Sequence, residues 1–223
     1  MEQQIEEKNT EMGNIITRSE EFIKKNQKTI LTIGIALVVV AVAIFAYFKF
    51  YKQPREAKAA NEMFAAEQWF AQGDYETALK GDDTFRGFLG IIDTYGSTKV
   101  GNLAKYYAGV ANLRLGNYEE AAKWLGKYSG KDIFTRPLAE MMQGDAAMEQ
   151  GQTQKAADLY MKAANMDDNY ITAPTALFKA GMSYFMLGSN DKAAECFNKV
   201  KKNYPESTEA QDIDKYIALV ENK

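Results

Sequence analysis

The stretch GNYEEA at residues 116–121 decides the fold, because degenerate copies of it recur along the chain. The copies are GDYETA at residues 73–78, GQTQKA at 151–156 and GSNDKA at 188–193, and each keeps the first glycine and the last alanine. The steps between the four glycines are 43, 35 and 37 residues. A period of this length indicates an array of short structural repeats.

Two further positions repeat in register with this motif. A second glycine lies seven residues before each of the last three turn glycines, and a large apolar residue follows each alanine by four positions: Gly109, Gly144 and Gly181, then Leu125, Tyr160 and Phe197. Glycine inside a helix costs about 1 kcal/mol relative to alanine, so its recurrence predicts that two helices approach closely there. Each unit is therefore predicted to be a helix, a tight turn and a second helix. The units are expected to stack, because none can bury its apolar face alone.

These units resemble the tetratricopeptide repeat, a helix–turn–helix unit of about 34 residues. The resemblance covers residues 57–205 and implies an all-α solenoid of about four units. The fourth unit follows the family pattern most closely, and its matching residues are Gly181, Tyr184, Ala193, Phe197 and Pro205. The second unit matches at Gly109, Ala121 and Leu125, and the third at Gly144, Ala156, Tyr160 and Ala163.

The two ends of the array depart from the repeat pattern. In the first unit the polar stretch KGDD at residues 80–83 interrupts the second helix, which is expected to resume over residues 85–95. After the fourth unit, residues 206–223 are predicted to be a C-terminal capping segment, with its helix at residues 207–221. The apolar residues of that helix recur at helical spacing and are expected to face inward: Ile213, Tyr216, Ile217 and Val220.

Residues 29–48 form an apolar run without a charged side chain, and basic residues flank it on both sides. Its twenty residues, at a helical rise of about 1.5 Å, reach roughly 30 Å, the thickness of the hydrocarbon core of a bilayer. A secretory signal peptide would have a shorter apolar core and small residues at a cleavage site. Here an aromatic stretch at residues 47–51 follows, which is typical of a membrane interface. The run is therefore predicted to be an uncleaved transmembrane helix, with a buried helix of a soluble fold as the alternative.

The apolar run divides the chain into a tail at residues 1–28, the transmembrane helix, and a juxtamembrane linker at residues 49–56. Four basic side chains lie near each end of the run, so the positive-inside rule gives no orientation. The tail carries an apolar stripe at helical spacing, formed by Met12, Ile15, Ile16, Ser19, Phe22 and Ile23. This stripe predicts a helix that lies on the membrane or contacts a membrane partner, and a frayed tail is the alternative.

The composition disfavours most catalytic chemistry. The chain has no histidine, which removes the commonest general base and the commonest metal ligand. Its one cysteine, Cys196, is expected to be a small buried residue, and no intramolecular disulfide can form. The acidic clusters at residues 82–83 and 167–169 are expected to form turns. With a net charge of −3 and no basic footprint, neither nucleic acid nor a small-molecule substrate is expected, and no enzyme, cofactor or metal site is predicted.

In tetratricopeptide arrays the first helix of each unit lines a groove, and this resemblance implies a set of binding residues here. The implied set is rich in methionine and aromatic side chains: Met63, Phe70, Tyr106, Val110, Arg114, Met141, Asp145, Met148, Phe178, Met182, Phe185 and Met186. Thioether side chains are flexible and polarisable, so such a groove suits varied apolar peptides. The alternative is that this stripe is core, packed against the capping helix or the first unit.

The whole layout resembles the bacterial translocon-associated tetratricopeptide proteins, ancillary subunits that accompany the SecYEG channel and a periplasmic chaperone. The shared features are a short polar tail, one span, the aromatic–basic exit at residues 47–52 and a helix that leads directly into degenerate repeats. The resemblance implies a single-pass inner-membrane protein with a cytoplasmic tail and periplasmic repeats. It would bind translocon subunits, the chaperone or exported chains. A tethered scaffold for cell division or outer-membrane biogenesis is the alternative.

Overall fold

The computed structural model describes residues 2–166 and 169–221, with side chains from Ile23 onward. Its described elements are helices, joined by turns and by an isolated bridge between Gly81 and Arg86, so the predicted all-α class is confirmed. The chain forms two compact units, which divide between Pro54 and Arg55.

The first unit is helical over its described length. Helix α1 spans Glu2–Ala46, a π-helical turn follows at Tyr47–Lys52, and helix α2 begins at Gln53. The predicted linker at residues 49–56 is therefore helical too. Pro54 lies directly after the π-helical turn, so the N–H that it lacks is missing where the regular helical hydrogen-bond pattern is already interrupted. The side chains of the tail stripe, apart from Ile23, lie outside the described residues.

One helical stretch in the described residues is long and apolar enough to cross a membrane. It runs from Ile23 to Ala71 and contains an 18-residue window with a mean hydropathy of 2.8, none of which is buried. The apolar run at residues 29–48 lies on this stretch, and its side chains are exposed in the chain by itself. This is the environment expected of a helix whose solvent is lipid.

The second unit is a series of helical hairpins followed by a short terminal helix. The helices are α2 (Gln53–Ala71), α3 (Tyr75–Lys80), α4 (Phe88–Tyr95), α5 (Lys99–Arg114), α6 (Tyr118–Lys127), α7 (Thr135–Glu149), α8 (Thr153–Ala164), α9 (Ala173–Met186), α10 (Asn190–Asn203) and α11 (Ile213–Glu221). A 3-10 helix at Thr208–Asp212 leads into α11. The predicted interruption of the first unit is present, because α3 ends at Lys80 and α4 resumes the helix at Phe88.

The four turn glycines share one backbone conformation. Gly73, Gly116, Gly151 and Gly188 have φ between +70° and +82°, a region that L side chains rarely adopt. In each turn the glycine N–H donates to the carbonyl three residues earlier, as in the 2.9 Å bond from Gly188 to Phe185. The repeated glycine of the sequence motif is therefore the residue that reverses the chain within each hairpin.

The glycines inside the first helices mark close helix crossings, as predicted. A Cβ atom on Gly109 would lie 2.4 Å from Leu125 Cγ, and one on Gly181 would lie 2.5 Å from Phe197 Cε1. Gly144 faces Tyr160 in the same way. The motif alanines Ala121, Ala156 and Ala193 are fully buried. Each large apolar residue of the pattern therefore fills the space that the missing glycine side chain leaves open.

The terminal helix α11 closes the apolar core of the last two hairpins. Ile213, Ile217 and Val220 are buried, and Tyr216 packs against the same cluster, as the spacing predicted. The Ser207 side chain accepts a 3.2 Å hydrogen bond from the N–H of Ala210 and caps the 3-10 helix.

The acidic clusters serve turns where the structure describes them. Asp82 Oδ1 accepts hydrogen bonds from the N–H groups of Thr84 and Phe85, both at 2.7 Å. Asn169 holds a turn in the same way, whereas Asp167 and Asp168 lie outside the described residues.

Candidate protein-binding groove

The predicted groove residues fall on the first helices of the hairpins, α2, α5, α7 and α9, but they differ in exposure. Met63, Val110 and Met141 are 3%, 6% and 8% exposed and belong to the apolar core. A ligand would reach these three only if the core repacked. Here the alternative that the stripe is core describes the residues better.

The groove aromatics are half-buried and already have partners. Phe70 packs edge-on against Tyr75, Phe88 and Tyr107, with ring centroids 5.2–6.1 Å apart. Tyr106 packs against Tyr107 and Tyr128, at 5.7 and 5.6 Å. Both rings are partly buried against the apolar core, so only part of each is accessible to a binding partner.

In the fourth hairpin the terminal helix covers part of the predicted groove. The Phe178 ring lies 4.8 Å from the Tyr216 ring of α11, in an edge-to-face arrangement. Met182 and Phe185 are half-buried against the same cluster, and Met186 is 63% exposed. Met182, Phe185 and Met186, on the last turns of α9, are therefore the part of the stripe that is open to a partner in this hairpin.

Two polar residues were predicted to line the groove, and the structure gives them different environments. Arg114 is exposed at the end of α5. Asp145 Oδ1 accepts hydrogen bonds from Tyr160 Oη at 2.7 Å and from Lys179 Nζ at 2.6 Å. Asp145 thus ties α7 to α8 and α9.

Lys179 is a residue that the sequence reasoning missed. It lies 34 residues after Asp145, three fewer than the 37-residue step between these two hairpins, so it sits about one helical turn earlier on α9 than Asp145 does on α7. Opposite charges at this offset on neighbouring first helices were the signal that could have paired them. The Lys179 ammonium also lies 5.6 Å from the centre of the Tyr160 ring. Burial, followed by the hydrogen bond to Asp145, raises the pKa of Tyr160, so the tyrosine stays neutral and donates.

A second charge cluster lies between the second and third hairpins. The Glu140 side chain is 2% exposed and pairs with Lys162 at 2.8 Å and with the guanidinium of Arg136. Arg136 also donates to the backbone carbonyl of Tyr128. A buried carboxylate is tolerated only when it is paired in this way, so the cluster serves packing.

No described residue offers an obvious catalytic group. The described residues contain no cluster of three His, Cys, Asp or Glu side chains that could hold a metal ion. Burial raises the pKa of the Cys196 thiol to about 11, so it is protonated at neutral pH. Its sulfur lies 3.6 Å from that of Met161 in the core.

A cavity of about 310 Å³ opens beside Trp124, at the side of the hairpins that carries the glycine turns. Its walls mix apolar and polar side chains: Glu76, Leu79, Lys80, Leu89, Asn112, Leu115, Asn117, Glu120 and Trp124. Inside it, Asn112 is held by hydrogen bonds to Ala108 and Asn117. This cavity could not be predicted from the sequence, because its lining residues come from four helices.

Comparisons with known proteins agree with this architecture. Family models of the tetratricopeptide repeat match residues 93–130 and 175–207. A TPR repeat-containing protein of Methanocaldococcus jannaschii is 31% identical over 117 residues, which is 52% of this chain and 19% of that protein. The chain thus spans about a fifth of the length of this curated relative.

A crystal structure of nearly identical TPR-like repeats, of kinesin light chain type from Podosopora anserina, matches with a TM-score of 0.56. The match covers 75% of this chain and 86% of that one at 13% identity, so it speaks for the fold alone. The protein therefore contains tetratricopeptide repeats in a helical solenoid. Domains of this class generally bind protein partners and act as non-enzymatic interaction scaffolds.

Proposed function

We propose that this protein is a membrane-anchored, non-enzymatic scaffold that binds polypeptides through the first helices of its repeats. The observation that carries the proposal is the apolar surface at the end of α9, where Met186 is 63% exposed beside the partly exposed Met182 and Phe185. Flexible methionine side chains beside an aromatic ring suit extended or helical apolar segments of differing sequence. We expect the apolar run at residues 29–48 to anchor the repeats to a bilayer.

The compartment and the partners follow from the resemblance to the translocon-associated tetratricopeptide proteins. The tail would lie in the cytoplasm and the repeats in the periplasm, on a single span through the bacterial inner membrane. The partners would be translocon subunits, a periplasmic chaperone and exported chains. Cys196 leaves no disulfide to be formed or reduced, so the repeats can fold in an oxidising compartment without pairing chemistry.

Site-specific photocrosslinking of the full-length chain in its native membrane tests the binding surface. A benzophenone amino acid replaces Met182 or Met186 in α9, and the exposed Asn198 on the second helix of the same hairpin is the matched control. Adducts with translocon subunits, chaperones or exported chains are expected from positions 182 and 186 and not from 198. Adducts only with division or outer-membrane assembly proteins would replace the translocon assignment with the alternative scaffold. Adducts from 198 alone would contradict the groove.

A charge placed on the open surface should weaken these adducts without affecting the fold. Met186→Asp puts a carboxylate on a side chain that is 63% exposed, so the free energy of unfolding should change little. The crosslinker at position 182 should then lose most of its adducts. Asn198→Asp is the control, and equal loss from both variants would point to a nonspecific effect of charge.

Protease protection fixes the side of the membrane that carries the repeats. Protease added to cells with a permeabilised outer membrane and an intact inner membrane should digest the repeats and spare the tail. Digestion of the repeats only after the inner membrane is opened would place them in the cytoplasm and overturn the proposed orientation.

A further inference from the structure

Two successive inter-hairpin loops carry the same four-residue pattern. The loop before α7 contains DIFT at residues 132–135, and the loop before α9 contains NYIT at residues 169–172, 37 positions later. In both, the first side-chain oxygen accepts hydrogen bonds from the N–H groups of the third and fourth residues. Asn169 Oδ1 accepts from Ile171 at 3.0 Å and from Thr172 at 2.7 Å, and Asp132 Oδ1 accepts from Phe134 at 3.1 Å and from Thr135.

These turns hold two apolar side chains of each loop out in solvent. Ile133 and Phe134 are 50% and 43% exposed, and Tyr170 and Ile171 are 62% and 66% exposed. The loops are neighbours, because Asn169 Nδ2 donates to the Ile133 carbonyl at 3.3 Å. The Tyr170 ring lies edge-on 5.4 Å from the buried Tyr204 ring, yet all four side chains keep much of their surface exposed. We call these four residues the loop-edge patch.

The loop-edge patch lies on the edge of the hairpins at which the second unit begins. In stacked hairpins the starts of the first helices and the ends of the second helices share one edge. At the start of α2, the Arg55 guanidinium donates to the Thr94 carbonyl at 2.5 Å. Glu56 accepts from the N–H groups of Lys99 and Val100, at 3.0 and 2.8 Å. The chain therefore enters this unit beside the α4–α5 connection. Along the array, that connection is followed by the α6–α7 and α8–α9 connections, which are the two patterned loops.

We propose that the loop-edge patch contacts the interfacial layer of the bilayer in which residues 29–48 are anchored. The inference rests on the membrane anchorage in the proposed function. Only residues 49–54 separate the apolar run from the start of this unit, so an anchor in the run would tether the edge by a short connection. A tethered surface needs little intrinsic affinity, because the tether supplies a high local concentration.

The composition of the patch suits uncharged lipid headgroups. Tyrosine, phenylalanine and isoleucine are side chains that partition to the boundary between headgroups and acyl chains. The charges nearest to it in sequence are mixed, with Lys131 and Arg136 beside Asp132 and the aspartates at 167 and 168. Contact driven by apolar side chains with balanced charge should depend little on salt or on anionic lipid.

Lipid-borne quenching of a fluorophore on the full-length chain tests the contact. Ile133→Cys and Ile171→Cys receive an environment-sensitive nitrobenzoxadiazole label, and the protein is reconstituted into phosphatidylcholine vesicles with nitroxide-labelled headgroups. Leu115→Cys and Leu187→Cys, which are 41% and 40% exposed at the opposite, glycine-turn edge, are the matched controls. The buried native thiol of Cys196 should react slowly, and the unmutated chain measures that background.

The labels at 133 and 171 should lose most of their emission to the nitroxide lipids and shift to the blue, whereas those at 115 and 187 should not. Equal emission at all four positions would overturn the proposal. Shielding of 133 and 171 in native membranes but not in pure lipid vesicles would assign the patch to a protein partner and overturn it as well. Flotation of the same samples reports the anchor separately, since a chain that floats with unquenched labels fails only the patch contact.

Replacing the second loop's apolar pair provides an independent check. Tyr170→Ser with Ile171→Ser removes two exposed side chains together with the Tyr170–Tyr204 ring contact, and it leaves the Asn169 turn intact, so the hairpin should stay folded. The label at 133 should then lose much of its quenching while the chain still floats with the vesicles. Unchanged quenching would show that the patch does not hold the edge at the lipid.

Discussion

The first and fourth hairpins turn through glycines with similar backbone angles, φ +82° at Gly73 and +70° at Gly188, but they continue differently. The second helix of the fourth hairpin, α10, runs for 14 residues, whereas its counterpart α3 stops after six. Both retain the buried alanine that follows the turn, Ala193 in one and Ala78 in the other. The turn is therefore conserved between the two hairpins, and the difference arises beyond it.

The first hairpin replaces the lost part of its second helix with a loop and a separate helix. Gly81, with φ +82°, ends α3, and a Cβ there would lie 2.3 Å from the Phe85 carbonyl oxygen. Helix α4 then supplies Phe88 and Ile91, which are fully buried. In the fourth hairpin a single residue, Phe197, fills the crossing opposite Gly181. A repeat can thus keep its turn and its buried area while it changes the residues that provide that area.

Removing the large side chain at the fourth crossing should have the largest effect. Phe197→Ala deletes a fully buried ring opposite a glycine, so we expect a loss of about 3–5 kcal/mol in the free energy of unfolding. Phe85→Ala, in the loop inserted into the first hairpin, removes a ring that is 51% exposed and should stay within about 0.5 kcal/mol. Denaturant unfolding of the detergent-solubilised chain, followed by circular dichroism, measures both. Equal losses would show that the two hairpins do not differ as described.

Removing a buried charge should cause the second-largest loss in the free energy of unfolding. Glu140→Gln leaves Arg136 and Lys162 without their shared carboxylate in the later hairpins, and we expect a loss of about 1.5–3 kcal/mol. Glu62→Gln breaks the matching tie of the first hairpin, from Glu62 to Arg86 and Tyr95, where the ion pair is largely open to water. That loss should be much smaller and should shrink further in high salt. A salt-sensitive loss at Glu140 of the same size as at Glu62 would contradict the difference in burial.

Changing the small residue at each crossing should lower the free energy of unfolding by less. The cause is overpacking in the fourth hairpin and backbone entropy in the first. Gly181→Ala places a Cβ against the Phe197 ring, and overpacking of this kind costs about 1–3 kcal/mol. The first hairpin already has a fully buried alanine, Ala66, seven residues before its turn glycine, and Ala66→Gly should cost about 0.5–1 kcal/mol through backbone entropy. The same denaturation experiment applies. Stabilisation by Gly181→Ala would mean that the helices do not meet at that glycine.

Alkaline pH should change the free energy of unfolding only well above neutrality. Burial, followed by the hydrogen bond to Asp132, raises the pKa of Tyr128 from its ordinary value of 10 to about 12. The native state then holds this proton more tightly than the unfolded chain. Its contribution to stability is complete below pH 10 and is lost as the pH rises from about 10 to about 12. Tyr128→Phe should flatten that part of the unfolding free energy against pH, and an unchanged slope would contradict the assignment.

The hairpins could be predicted from the sequence because the residues that indicate them recur at a regular, short spacing. The turn glycines, the Gly181–Phe197 type of crossing and the inward face of α11 all follow from spacing, and each is present. The interruption of the second helix after Lys80 was predictable for the same reason, since glycine and aspartate favour turns over helices.

The groove was less predictable because exposure depends on contacts between repeats. Met63, Met141 and Met186 were all predicted to line the groove, yet the first two are buried and the last is 63% exposed. The Phe178–Tyr216 contact joins residues of different elements, and no spacing rule predicts it. Residues 49–56 were predicted to be a juxtamembrane linker because a proline and several charged residues follow the apolar run, and in the structure this linker is helical.

Extraction of native membranes at alkaline pH tests most directly whether these hairpins work as a membrane-anchored scaffold. The full-length chain should remain in the membrane pellet after carbonate treatment, and a variant that lacks residues 29–48 should move to the supernatant while keeping its helical circular dichroism spectrum. Release of the full-length chain, or retention of the shortened one, would contradict an anchor formed by that run.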